Sequence, residues 1–170
     1  MLKMTEQKTF ELAGMRWSVL DKTDKGYLCI AENIGDKKFD RKCNNWKVSE
    51  LREYLNGEFL VKLEATIGSE NIVSFERDLL SLDGQTEYGT CEEKVSLLTV
   101  DEYRKYRKAL PNTGKWWWLI TPDSTPCNND DCFVRVVASS GSICLNYYYD
   151  SIGVRPVCIF PFSIFESEEN

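Results

Sequence analysis

Tyr147, Tyr148 and Tyr149 stand in a row inside the stretch NDDCFVRVVASSGSICLNYYYDSIGVRPVCIF, residues 129–160, among Asn, Asp, Ser and Cys. Such side chains contact ligands more readily than they fill cores. Tyrosine offers a broad amphipathic surface with few torsions to freeze, and Ser and Asn offer adaptable hydrogen bonds. If the segment is a strand, Tyr147 and Tyr149 share one face and Tyr148 takes the other. If it is irregular, all three stand free. The same expectation of outward contact covers Asn128, Asn129, Asp130 and Asp131, then Phe133, Ser140 and Ser142, then Asn146 and Asp150. In the run WWW, residues 116–118, strand alternation sends Trp116 and Trp118 to one face and Trp117 to the other. Trp116 is the one expected to be available to a ligand.

Catalytic and metal chemistry is narrowed by what is missing. The chain contains no histidine, which removes Ser-His and Cys-His nucleophile pairs, the two-His-one-carboxylate triad and every His-bearing zinc site. No catalytic residue is assigned, and the chain reads as a binder and not as an enzyme. The seven cysteines are odd in number and show no C-x-x-C spacing. Free or buried thiols are expected, no zinc site is, and a local Cys127–Cys132 disulfide stays open. CNNDDC, residues 127–132, sets four oxygen-rich side chains in a row. Ca²⁺ takes oxygen ligands, but a solvated turn is the reading adopted, so neither a cofactor nor a metal is expected. Arg155, in GVRP, is expected to tie loop carbonyls or a carboxylate, partly buried and away from ligand.

These residues need a scaffold. At 170 residues the chain is read as one domain, 1–170, with a core over 10–160 and a tail over 161–170. Its 42% hydrophobic and 28% charged residues are ordinary for a globular protein. The net charge of −6 and the lack of a basic stripe give no footprint for nucleic acid, and EYRKYRK (102–108) reads as a solvated helix face. No apolar run reaches the roughly 18 residues of a membrane span. MLKMTEQKTFEL lacks a hydrophobic signal region, so no signal peptide is expected and the place is cytoplasmic or particle-associated.

MRWSVLDKTDKGYLCIAE (15–32) predicts a hairpin with its turn at DKTDKG, and TFELAGM a preceding strand broken at Gly14. Ser49 caps a helix whose stripe is Leu51, Tyr54, Leu55 and Phe59, and Asn56–Gly57 should stop or kink it, with a short second helix through Leu63. Residues 64–92 read as loop with short pieces of regular structure. VSLLTV predicts a strand and TVDEYRKYRK a helix. KWWWLITP, CFVRVVAS, ICLNYYY and GVRPVCIF predict strands, with SSGS as a turn and Pro156 at an edge or bulge. The acidic end SIFESEEN is expected to fray. Segregated strands and helices give the class α+β.

In order, WSVLD, WKVSELREYLNGEF, KVSLLTVDEY, WWLITP and SSGS…GVRPV resemble an uncharacterised family of bacterial and phage domains related to the fold of formylglycine-generating enzymes. The resemblance implies a C-type-lectin-like fold: twisted antiparallel sheets, two main helices and long loops. It makes Trp117 and Trp118 framework tryptophans of the core. The same fold carries the variable proteins of diversity-generating retroelements, in which Asn codons scatter into Tyr, Asp, Ser, Cys and others. Between Asp123 and Ser151 those types interleave with framework-like Trp117, Leu119, Val134, Val136, Gly141, Gly153, Arg155 and Pro156. The expected function is therefore ligand binding by a diversified C-terminal surface, the partner an unknown protein or glycan. Two alternatives stand beside it: a phage or bacterial structural or assembly protein, and a formylglycine-generating-type oxidase using Cys144 and Cys158. The calcium-binding sugar signatures E-P-N and W-N-D are absent.

Overall fold

The computed structural model describes residues 1–167. The N-terminal strands β1 (Thr9–Leu12), β2 (Met15–Lys22) and β3 (Tyr27–Ala31) form an antiparallel meander. β1 turns into β2 through Ala13 and Gly14, at φ 53 and 76, the backbone of a type I′ hairpin turn. The β2–β3 turn closes with Thr23 N–H donating to the Gly26 carbonyl at 2.8 Å. Gly26 sits at φ +151, and a Cβ there would lie 2.2 Å from the Phe160 carbonyl oxygen. Only glycine lets β3 lie this close to the last strand, β11 (Val157–Phe160), which completes the sheet in the order β1-β2-β3-β11. The predicted hairpin and the strand before it are both present.

Next come β4 (Asp36–Lys38) and the helix. Ser49 accepts the Arg52 N–H at 3.1 Å and starts α1 (Glu50–Tyr54). Asn56–Gly57 does not stop the chain. It passes into a π-helical turn, Leu55–Phe59, and continues as α2 (Leu60–Ile67) to Gly68. The reason lies at Asn56, whose side-chain amide donates to the Val95 carbonyl at 2.8 Å and accepts the Val95 N–H at 3.0 Å. That pair of bonds satisfies a stretch of backbone that has no strand partner, and the extra residue of the π turn points Asn56 at it. Leu51, Leu55, Phe59 and Leu63 are buried along one stripe, with Tyr54 half-buried beside them.

β5 (Phe75–Asp78) and β6 (Thr90–Glu93) form a two-stranded ribbon within the region expected to hold only short pieces. Val95–Thr99 corrects the strand expected at VSLLTV: only Ser96 bridges, to Val157. The segment runs between two cores, with Val95 and Leu97 in one and Leu98 and Val100 in the other. It is apolar because it is enclosed, not because it pairs. α3 (Val100–Lys105) follows, opened by a Thr99–Glu102 capping box. At six residues it is a single short helix, so the architecture has one main helix and not two. The mixed α+β class holds, with mostly antiparallel sheets.

The five-stranded sheet runs β4-β10-β7-β8-β9, with β7 (Trp117–Pro122), β8 (Phe133–Val137), β9 (Ile143–Tyr147) and β10 (Ser151–Gly153). Its centre is covered on both faces. Trp118, Ile120, Val134 and Val136 enter the larger core with Trp17 and the helix, while Trp117, Leu119 and Val137 enter the smaller one with Tyr103 of α3. Both framework tryptophans are buried and Trp116 is 40% exposed. β9 stops at Tyr147, so Tyr148 and Tyr149 belong to a turn and not to the expected strand. Pro156 stands just before β11, its carbonyl accepting the Ala31 N–H at 2.8 Å. The tail differs from expectation over its first half: Phe165 is 7% exposed and pairs with Leu2. The acidic end over residues 168–170 lies outside the described residues. Among the described residues no helix is long and apolar enough to cross a membrane.

Candidate ligand-binding surface

The register of the β8–β9 hairpin determines what reaches solvent. Val134↔Asn146 and Val136↔Cys144 point toward the larger core, so Phe133↔Tyr147, Arg135↔Leu145 and Val137↔Ile143 share the opposite face. α3 covers the Val137 end of that face and leaves the Phe133 end open. Leu145 is 40% exposed and Tyr147 42% exposed. The Phe133 and Tyr147 rings meet at 4.5 Å between centroids, and Tyr149 stacks on Tyr147 at 5.0 Å with planes 15° apart. Tyr149 is brought back over Tyr147 by a tight turn in which the Asp150 N–H donates to the Tyr147 carbonyl at 3.1 Å. Three rings thus form a continuous aromatic shelf at the sheet's end.

Tyr148 does a different job. Its N–H donates to the Cys132 carbonyl at 3.1 Å, its carbonyl accepts the Asp40 N–H at 3.0 Å, and its half-buried ring packs against the larger core. It is an anchor for the turn and meets the edge of Tyr149 at 5.3 Å. Burial, joined by nearby acidic groups, pushes the Tyr148 and Tyr149 phenols above the ordinary tyrosine value. Both are neutral donors at physiological pH. Beside the shelf, Arg135 pairs with Asp123 at 3.4 Å. Burial raises the Asp123 carboxyl, and Arg135 offsets only part of that rise.

The remaining candidates divide by place. Asn128 and Asn129 are exposed, and Asp130 and Asp131 half-buried, in the loop before β8. That loop is held from within. Asn128 donates to Asp83 at 3.2 Å, Ser124 donates to the same carboxylate at 2.6 Å, and Asp130 accepts the Cys132 N–H at 3.2 Å. Hydrogen bonds from Ser124 and Ser81 are the main causes holding the Asp83 carboxyl below the usual range. Beneath the loop, buried Asn44 donates to the Ser124 and Phe133 carbonyls, both at 2.9 Å, and accepts from the Tyr88 hydroxyl at 2.7 Å. Sequence reasoning missed Asn44, Tyr88 and Asp83. They lie 41 to 89 residues from the groups they hold, and no local pattern marks them. Among the described residues no group of three or more Cys, Asp or Glu is arranged to hold a metal ion.

Ser140 and Ser142 are exposed at the other end of the hairpin, bonded to each other at 3.0 Å. Five strand steps separate Ser142 from Tyr147, about 17 Å at ~3.3 Å per residue. Trp116 and Asn146 fall apart from the shelf as well. They line an open depression of ≈ 530 Å³ with Asp36, Lys115, Ser151 and Ile152. The expected contact set is therefore distributed over several patches, and none of its members is buried.

Arg155 is more deeply placed than expected, at 7% exposure, with its Nε donating to the Ala31 carbonyl at 3.0 Å and its guanidinium 5.0 Å over the Trp117 ring. All seven cysteines are free, including Cys127 and Cys132. Cys158 lies opposite Cys29 in the four-stranded sheet, whereas Cys144 is on β9 of the other sheet.

The model of a domain of unknown function, DUF6273, matches residues 25–162. The chain belongs to that family. The DUF6273 match takes in β3 through β11, the helix and the entire aromatic shelf, and leaves β1 and β2 outside it. No curated protein and no solved structure matches the chain.

Proposed function

We infer that this DUF6273 chain is a non-catalytic binding module whose contact surface is carried by the C-terminal third on a C-type-lectin-like scaffold. The observation that carries the reading is the shelf: three aromatic rings in contact with one another, Tyr147 and Tyr149 exposed and Phe133 half-exposed, at the end of a sheet whose central strand, β7, is buried throughout. Rigid aromatic anchors of this kind give contact area at low ordering cost, and a soluble fold without a partner has no use for them there.

The further reading is a variable protein of a diversity-generating retroelement. Its support is the interleaving of two residue classes. Trp117, Leu119, Val134, Val136, Gly141, Gly153, Arg155 and Pro156 are all buried, while every Asn, Asp, Ser and Tyr of the expected contact set between them is exposed or half-buried. A scaffold that tolerates exchange at its contact positions requires that separation. Against the oxidase alternative, Cys144 and Cys158 sit on different sheets.

Two measurements test the reading. A photo-crosslinking residue at Tyr147 captures a partner in the native host, while the same group at Val61, exposed on α2, does not. Equal capture from both positions refutes the shelf. Sequencing of the gene's neighbourhood is the second test, with a reverse-transcriptase gene and a near-copy of the 3′ end differing at adenines as the expected result. Absence of both removes the retroelement reading and leaves the binding module standing.

A further inference from the structure

We propose that the depression beside Trp116 is a saccharide-binding site, with a neutral sugar ring stacked on the exposed indole. The site lies on the opposite face of β9 from the shelf, because Asn146 pairs with core-facing Val134, and the proposal does not rest on the reading of the shelf.

Trp116 is the exposed one of the chain's five tryptophans; Trp17, Trp46, Trp117 and Trp118 are each at 2% exposure or less. Trp116 lines an open depression of ≈ 530 Å³ whose other walls are Asp36, Gly114, Lys115, Asn146, Ser151 and Ile152. The polar groups there differ from those of the neighbouring loops. Asn128, Ser140 and Ser142 spend their side chains on one another or on nearby residues. In the depression, only the Asn146 carbonyl oxygen is engaged, by the Tyr147 N–H at 2.9 Å. Among the described residues, the Asn146 amide NH₂, the Asp36 carboxylate, the Ser151 hydroxyl and the Lys115 ammonium have no protein partner. A carboxylate, an amide donor, a hydroxyl and an ammonium thus belong to residues that line the same depression as this exposed tryptophan.

That combination fits a pyranose. One side of the ring presents C–H groups, which pack on an aromatic face, and its rim presents hydroxyls that both donate and accept. Asp36 accepts, Asn146 and Lys115 donate, and Ser151 does either. Other ligand classes fit less well. A phosphate-bearing nucleotide requires a positive field, and here Lys115 is offset by Asp36. A peptide anchor requires an enclosed apolar pocket, whereas this site is open and Ile152 is its one aliphatic wall. Among the lining residues one cation, Lys115, meets one anion, Asp36, a balance that favours a neutral sugar over a uronic acid or an amino sugar.

The site sits on rigid elements. Asp36 and Ser151 belong to paired strands, Gly153 is hydrogen-bonded to the Trp116 carbonyl at 2.9 Å, and a Cβ at Gly153 would lie 2.7 Å from that carbonyl oxygen. The strand is thereby held against the backbone that carries the indole.

The test uses the full chain with maltose, cellobiose, lactose and N,N′-diacetylchitobiose. Saturation-transfer NMR is expected to show transfer to at least one of the four, strongest at the C–H protons of one ring face. The same sugar shifts the tryptophan emission, because the responding indole is the exposed one. Trp116→Ala weakens binding by more than about tenfold, and Asn146→Ala weakens it while leaving the far-ultraviolet circular dichroism unchanged. Tyr147→Ser, on the opposite face, leaves sugar binding intact whether or not the shelf binds its own partner. No transfer to any of the four sugars overturns the proposal. So does transfer that survives Trp116→Ala, or transfer that Tyr147→Ser abolishes.

Discussion

Arg77 provides the sharpest test of how β5 is joined to the Val95–Thr99 segment and α3. It lies on β5 at 4% exposure and bonds to three residues, Ser96, Leu97 and Glu102. Its guanidinium engages the Glu102 carboxylate through both terminal nitrogens, donates from Nε to Ser96 Oγ at 2.9 Å, and donates to the Leu97 carbonyl at 2.8 Å. Glu102 is also the return half of the α3 capping box, accepting the Thr99 N–H at 2.9 Å. Arg77→Met keeps the volume and removes every one of these bonds, leaving a carboxylate and a carbonyl under-satisfied in a largely enclosed space. Breaking a buried pair from one side costs about 3–5 kcal/mol. At roughly 2–4 °C per kcal/mol for a chain of this size, the melting temperature falls by on the order of 10 °C. Glu102→Gln retains the cap and removes the charge, so the double variant recovers part of the loss, and a double-mutant cycle returns a coupling of more than about 1 kcal/mol. The pH dependence follows with a definite sign. Burial raises the Glu102 carboxyl, but the Arg77 bonds and charge together with Thr99 outweigh it and hold it below its ordinary value. A folded value below the unfolded one, about 4.3, means that this stabilisation is fully present above roughly pH 5 and lost as the pH falls through the folded value. Denaturation curves at several pH values read it directly. A loss under about 1 kcal/mol for Arg77→Met, or strict additivity in the cycle, refutes the reasoning.

Other expectations follow from single contacts. Ser49→Ala removes the acceptor for the Arg52 N–H and lowers stability by about 1 kcal/mol in a urea titration. Gly141→Ala places a methyl group 2.2 Å from Asn112 Oδ1 and 2.3 Å from Arg107 Nη2 at φ +87; strain of roughly 1–2 kcal/mol appears in the same assay. A thiol reagent labels exposed Cys127 in the native protein, whereas buried Cys29 and Cys158, whose thiols desolvation pushes up, label only on unfolding, as mass spectrometry resolves site by site. Tyr147→Ser and Tyr149→Ser each change stability by less than about 1 kcal/mol, since the rings they remove are open to solvent.

How much of this was legible depends on the range of the interaction that decides it. The Ser49 cap, the Leu51–Leu55–Phe59 stripe, the β2–β3 hairpin and the opposite facing of Trp117 and Trp118 were readable, because each is set by residues within a few positions. The π turn at Leu55–Phe59 was half readable: Asn56–Gly57 signals a disturbance, but its form depends on Val95, 39 residues away. Val95–Thr99 read as a strand because an apolar run enclosed on two sides looks the same whether it pairs or not. The contact residues were nameable by type, but their grouping was not. Phe133 meets Tyr147 only through the hairpin register, and Asp36 and Trp116 line one depression through strands distant in sequence.

The edges of the five-stranded sheet explain why that grouping suits recognition. One edge, β4, is short and carries Asp36, Lys37 and Lys38, charges that discourage another strand from adding there. The other, β9, reads Ile-Cys-Leu-Asn-Tyr and carries none. At its shelf end the backbone is protected in another way: the Tyr147 N–H bonds to the Asn146 side chain and its carbonyl accepts the Asp150 N–H. A strand arriving at Tyr147 finds both outward groups already engaged, so a partner meets rings and not backbone. Alternation leaves the main-chain groups of Leu145 facing outward without such protection, since the Ser142 carbonyl and the Tyr148 N–H both bond inward to the β8 side. Asn146→Ala therefore uncaps the shelf end and lengthens the free edge toward Tyr147. The expected result is a concentration-dependent gain in self-association by analytical ultracentrifugation, with the monomer fold retained. Leu145→Lys in the same background reverses it. If Asn146→Ala stays as monodisperse as the parent chain at every concentration tested, the cap is not what keeps this edge free.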